Sequence, residues 1–87
     1  MVLRRQDQPA TVRTYVLLRT VNGDSERVLG ALRGKEGVVS VDPVEGPHDV
    51  VILIEAAGRQ QLADLTISAL DSVNAMTEEV HLLPVLS

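Results

Sequence analysis

Cysteine is absent from this 87-residue chain, as are tryptophan and phenylalanine. The first absence excludes disulfides, thiolate metal ligands and a cysteine nucleophile together, and it fits a reducing compartment. The second leaves Tyr15 as the only aromatic, so stacking platforms for bases or sugar rings are missing. Basic charge is also in deficit, with 8 Lys and Arg against 12 Asp and Glu for a formal net charge of −4. That is the wrong sign for direct nucleic-acid binding. No apolar run approaches the roughly 20 residues of a membrane span, and the start is too short and too polar after Leu3 for a secretory signal. These features lead us to expect a soluble, cytoplasmic protein with no membrane partner.

Catalytic constellations are missing as well. The histidines, His48 and His81, lack a second ligand at metal spacing, and the first strand is expected to lie between the strands that carry them. No serine sits in a nucleophile elbow. Glu78 and Glu79 are adjacent, so in an extended segment they point to opposite sides and cannot share a substrate. We therefore expect no enzyme activity, no catalytic residue, no metal and no cofactor.

What the chain does have is a turn running into a long apolar strand, residues 44–55, reading Val-Glu-Gly-Pro-His-Asp-Val-Val-Ile-Leu-Ile-Glu. Gly46 and Pro47 force a reversal, because glycine admits backbone angles closed to other residues while proline fixes φ and removes a donor. The strand that follows is apolar on both faces and needs cover on both. The same holds for the strand expected over residues 11–20, where Val12, Val16 and Leu18 face one way and Tyr15 and Leu17 the other.

Between these strands, Asp24 or Ser25 can cap a helix carrying Val28, Leu29 and Leu32, and Gly34 suits its C-cap. Residues 37–44 read as a second strand, placed at a sheet edge by Pro43. A second helix opens at residues 58–60 and carries Leu62, Leu65, Thr66, Ala69, Leu70 and Val73, with Ile67 off that stripe. A last strand spans residues 79–86, again marked as an edge by Pro84.

Strand, helix, strand, strand, helix, strand with right-handed crossovers gives an α+β, ferredoxin-like βαββαβ sandwich. Its antiparallel sheet has four strands, the first and third central. Both helices lie on one face, so the other face, apolar at its centre, is expected to form a homodimer with a second copy. Residues 1–10 read as a flexible tail and 11–87 as one domain.

The candidate site is Gly46, Pro47, His48 and Asp49. A zwitterionic ligand needs acceptors for its ammonium and N–H groups for its carboxylate, and an aspartate beside a glycine turn offers both. The alternative is that Asp49 only caps its own hairpin through an Asx-type bond.

Several stretches carry a resemblance: Tyr15-Val16-Leu17-Leu18, Leu32 with Gly37-Val38-Val39, the turn Gly46-Pro47-His48-Asp49 with Val50-Val51, and Pro84-Val85. Together they resemble the effector-binding (RAM) domain of the Lrp/AsnC transcriptional regulators, in its stand-alone version without a helix-turn-helix. In the family's Gly-x-Tyr/Phe-Asp motif, Gly46 matches the glycine and Asp49 the aspartate. His48 stands where an aromatic is usual, and Asn74-Ala75-Met76 replaces a glycine-hydrophobic step. The resemblance implies dimers assembled into higher oligomers, with an amino acid or related metabolite bound between subunits near this turn. It also implies a full-length Lrp/AsnC regulator as a candidate partner. Two rivals share the topology: a small monooxygenase-like dimeric α+β barrel enzyme, and an ACT-like amino-acid-binding module, for which Gly23 is suitably placed. A third is a structural oligomer with no ligand.

Overall fold

A computed structural model describes residues 11–21 and 23–85. The expected N-terminal tail, residues 1–10, and the last residue of the expected final strand, Leu86, lie outside the described residues. The elements are β1 (Val12–Thr20), α1 (Ser25–Leu32), β2 (Val38–Pro43), β3 (Val50–Ala56), α2 (Arg59–Val73), a 3-10 turn (Asn74–Met76) and β4 (Thr77–Pro84). They form one antiparallel sheet in the order β2-β3-β1-β4, the expected βαββαβ ferredoxin-like arrangement. Pro43 and Pro84 both end edge strands, where a missing N–H interrupts no inner ladder.

Register determines which side chains meet the helices. Val16 pairs with Ile52 and Leu18 with Val50, which turns all four toward α1 and α2. They reach 0% exposure together with Ile54, Val28 and Leu32, and Ala69 and Val73 of α2 close the same core. Aliphatic side chains thus fill the interior without an aromatic. On the opposite face Leu17, Val51 and Leu53 are half-buried, while Tyr15, His81 and Leu83 are exposed.

Three details depart from the sequence reading. Asp24 occupies the N-cap position of α1 but makes no capping bond; its carboxylate faces Arg27 at 3.5 Å instead. The C-cap is Arg33, extended at φ −65° and ψ 131°, and Gly34 follows at φ 85°. Lys35 N–H donates to Leu32 O at 3.1 Å, so these residues form a type II turn, in which the third position needs positive φ. In β2 the pairing slips between Val38 and Ser40, and Val39 is pushed outward to 56% exposure. Such a bulge blunts a free edge.

Gly30 and Gly37 separate two roles of glycine. Gly30 lies within α1, where an added β-carbon would meet nothing within 4 Å, whereas Gly37 has φ 84° and its β-carbon would come within 2.6 Å of Leu65 Cδ1. Gly30→Ala is expected to stabilise the fold by about 0.5–1 kcal/mol through helix propensity. Gly37→Ala is expected to destabilise it by about 1–3 kcal/mol through backbone strain. Urea unfolding of both variants checks the opposite signs.

Candidate functional site

The connection from β2 to β3 is closed at its base by Val44 N–H donating to Asp49 O at 3.0 Å. Gly46, at φ 124°, makes the reversal, and it and Pro47 are exposed. Asp49 does not cap its own hairpin with its side chain. It reaches to the end of β1, where Thr20 N–H donates to Oδ1 at 2.9 Å and the Thr20 hydroxyl donates to Oδ2 at 2.6 Å. Asp49 N–H in turn donates to Leu18 O at 2.9 Å. The β1 ladder to β4 shifts register between Arg19 and Thr20, the same point at which β1 turns to Asp49. Three bonds therefore pin the turn to the central strand, and the Asx-type reading of Asp49 is replaced by this cross-strand clamp.

The clamp also governs the carboxyl's ionisation. Burial pushes the Asp49 pKa up, but the bonds from the Thr20 hydroxyl and N–H, with Arg19 nearby, outweigh it and hold the group below its ordinary value. Each carboxylate oxygen accepts one bond from Thr20, and a carboxylate has capacity for about four. Asp49 can still receive an ammonium.

His48 is half-buried, and its Nε2 is enclosed without a hydrogen-bond partner among the described residues. Its ring lies 6.0 Å from that of His81, inclined at 50°. The sequence reading keeps the two histidines apart because β1 runs between their strands. It does, but His81 pairs with Leu17, an open-face position, and the rings meet over β1 on that face. Strand parity is the signal that could have found the pair. Beside them Arg19 donates to Glu79 Oε1 from Nε at 3.2 Å and from a terminal nitrogen at 2.8 Å. That bond and Arg19's charge, with the neighbouring histidines, hold the Glu79 carboxyl below the usual range.

Four polar groups, His48, His81, Glu79 and Arg19, thus flank one end of an apolar strip of Tyr15, Leu17, Val51, Leu53 and Leu83 on the open sheet face. The Arg13–Glu55 pair, at 3.3 Å, lies on β1 and β3 toward the other end. Thr20, Arg19 and Glu79 are not picked out by the sequence, because nothing local marks them. Among the described residues no group of three or more His, Asp or Glu side chains is arranged to hold a metal ion, and no helix is long and apolar enough to cross a membrane.

No family profile and no curated protein matches the chain. Solved structures do. An AsnC family transcriptional regulator from Agrobacterium tumefaciens superposes with a TM-score of 0.77 at 13% identity, over 100% of this chain and 57% of its own. A transcriptional regulator from Neisseria meningitidis, solved as an L-Met complex, gives 0.72 at 12% identity, over 100% of this chain and 57% of its own. The chain has the fold of these regulators. The small TTHA0845 from Thermus thermophilus gives 0.77 at 22% identity, over 87% of this chain and 94% of its own. The chain thus spans somewhat over half the length of the two regulators and nearly all of the small protein.

The clamp is testable through Thr20→Val, which keeps the N–H bond and removes the hydroxyl. We expect a loss of about 1.5–3 kcal/mol at pH 7, as for one hydrogen bond to a charged acceptor. Because the folded-state pKa of Asp49 is depressed, its stabilisation is present above the unfolded value of about 3.9 and is lost as pH falls through the folded value. The gap between wild type and Thr20→Val in urea unfolding should therefore narrow toward pH 2. A gap independent of pH would contradict the assignment.

Proposed function

We propose that this chain is a non-enzymatic effector-binding domain of the Lrp/AsnC type. In this reading it binds an amino acid or a related small metabolite at Gly46, Pro47, His48 and Asp49, between subunits of a dimer or higher oligomer. The observation that carries the reading is the enclosed, partnerless Nε2 of His48, set beside a turn that Asp49 holds rigidly against β1. A buried polar atom without a partner costs free energy, and a ligand's carboxylate or ammonium would remove that cost. Asp49 supplies remaining acceptor capacity for an ammonium, and the exposed peptide at Gly46 permits close approach of a ligand to the backbone.

The fold shared with regulators, one of them solved as an L-Met complex, supports this reading. So does the half-buried apolar strip of the open sheet face with its flanking ion pairs, a pattern suited to contact with a second copy. Binding across subunits would favour the assembly that binds, by mass action. In a cytoplasmic setting a full-length Lrp/AsnC regulator is the partner through which such a domain would act on transcription.

Thermal unfolding with each of the twenty amino acids tests the proposal. One or a few should raise Tm by roughly 10–20 °C when present about 100-fold above their Kd. His48→Ala should abolish the rise while keeping the circular-dichroism spectrum. No rise with any amino acid, or a rise unchanged in His48→Ala, would contradict it.

A further inference from the structure

Away from the turn, and on the helix side of the sheet, α2 covers β1 and β3 but leaves β4 uncovered. Val80, Leu82 and Pro84 pair with Leu18, Val16 and Thr14, so their side chains point toward the helices, yet Leu82 remains 48% exposed. Between β4 and α2 runs an open groove of about 280 Å³, walled by Leu62, Ala63 and Ile67 on the helix and Leu82 and Pro84 on the strand. Ile67, the residue outside the expected core stripe of α2, is 59% exposed there.

The groove's chemistry is one-sided. Its two threonines offer it no free hydroxyl donor, because Thr66 donates to Leu62 O at 2.7 Å and Thr14 to Tyr15 O at 3.1 Å. Their methyl groups therefore complete an apolar lining. Among the described residues Arg59, the first residue of α2, is the only charged residue at the groove, and no carboxylate pairs with it. An apolar trough with one cation complements a small molecule that has an aliphatic body and one negative end.

We propose that this groove binds a small aliphatic carboxylate. The hydrocarbon chain lies between Leu82, Pro84 and the Ala63–Ile67 side of α2, and the carboxylate meets the Arg59 guanidinium. The volume of about 280 Å³ lies just below the roughly 300–1,000 Å³ of ligand pockets, which suits a short acyl chain and not a cofactor. The site is separate from the Gly46–Asp49 turn, which is tied to the other end of β1, at Leu18 and Thr20. The two can therefore succeed or fail independently.

Octanoate is the probe, followed by methyl NMR of Ile67 and Leu82 on the full chain, with octylamine and octanol as comparisons. Saturable shifts of both methyls are expected with octanoate, and weaker binding of octylamine. Arg59→Gln should weaken octanoate about two- to fivefold, the range for one exposed ion pair, and leave octanol unchanged. Ala63→Phe, at an exposed helix position, should fill the groove and abolish all binding with the fold intact by circular dichroism. Three results would overturn the proposal: no saturable shift at millimolar octanoate, octylamine binding as tightly as octanoate, or methyl shifts that follow protein concentration instead of octanoate. The last would assign the groove to a second copy of the chain.

Discussion

Two short helices can cover only one face of a four-stranded sheet, and the rest of this structure follows from that constraint. The central strands β1 and β3 answer it unequally. Toward the helices they place Val16, Leu18, Val50, Ile52 and Ile54, all fully buried. Away from the helices they place Tyr15, Leu17, Val51 and Leu53, which the chain by itself shields only in part. A domain of this size buries a modest fraction of its surface, so leaving such a strip in water is a real cost. The ion pairs Arg13–Glu55 and Arg19–Glu79 belong to the same face, which gives it an apolar middle with charged margins. Our proposal of a second copy on this face is the arrangement that removes the cost without a larger core.

The same strand organises the turn. β1 lends its last residues to Asp49, so the geometry of Gly46, Pro47 and His48 depends on the central strand and not on the hairpin alone. A turn held only by its own backbone would sample several shapes. Bonds from Thr20 and to Leu18 reduce that freedom before any ligand arrives, which is the form of preorganisation that lowers the entropic cost of binding. The depressed pKa of Asp49 is the electrostatic counterpart of that rigidity, because the donors that fix the carboxylate also stabilise its charge.

Much of the fold was legible because independent signals agreed. Pro43 and Pro84 marked the edges, while the doubly apolar strands marked the centre, and both pointed to one strand order. What escaped was contact across long separations. The partner of Asp49 lies 29 residues away at Thr20, and no local pattern announces it. The meeting of His48 and His81 depends on strand parity across β1, which becomes certain only once register is known. The slip at Val39 and the type II turn at Gly34 are matters of local backbone geometry, and sequence patterns average over such detail. The groove beside Ile67 was hidden for a different reason: periodicity shows which side chains can face a core, but not that α2 stops short of β4.

Sedimentation equilibrium of the chain at micromolar concentration, alongside Leu53→Arg, tests the central claim most directly. Leu53 lies in the middle of the open face and is not part of the helix-side core, so the variant should fold. The account predicts a mass of at least two chains for the wild type and a shift to a single chain for Leu53→Arg. A wild type that sediments as a single chain, or an assembly that Leu53→Arg leaves unchanged, would contradict it.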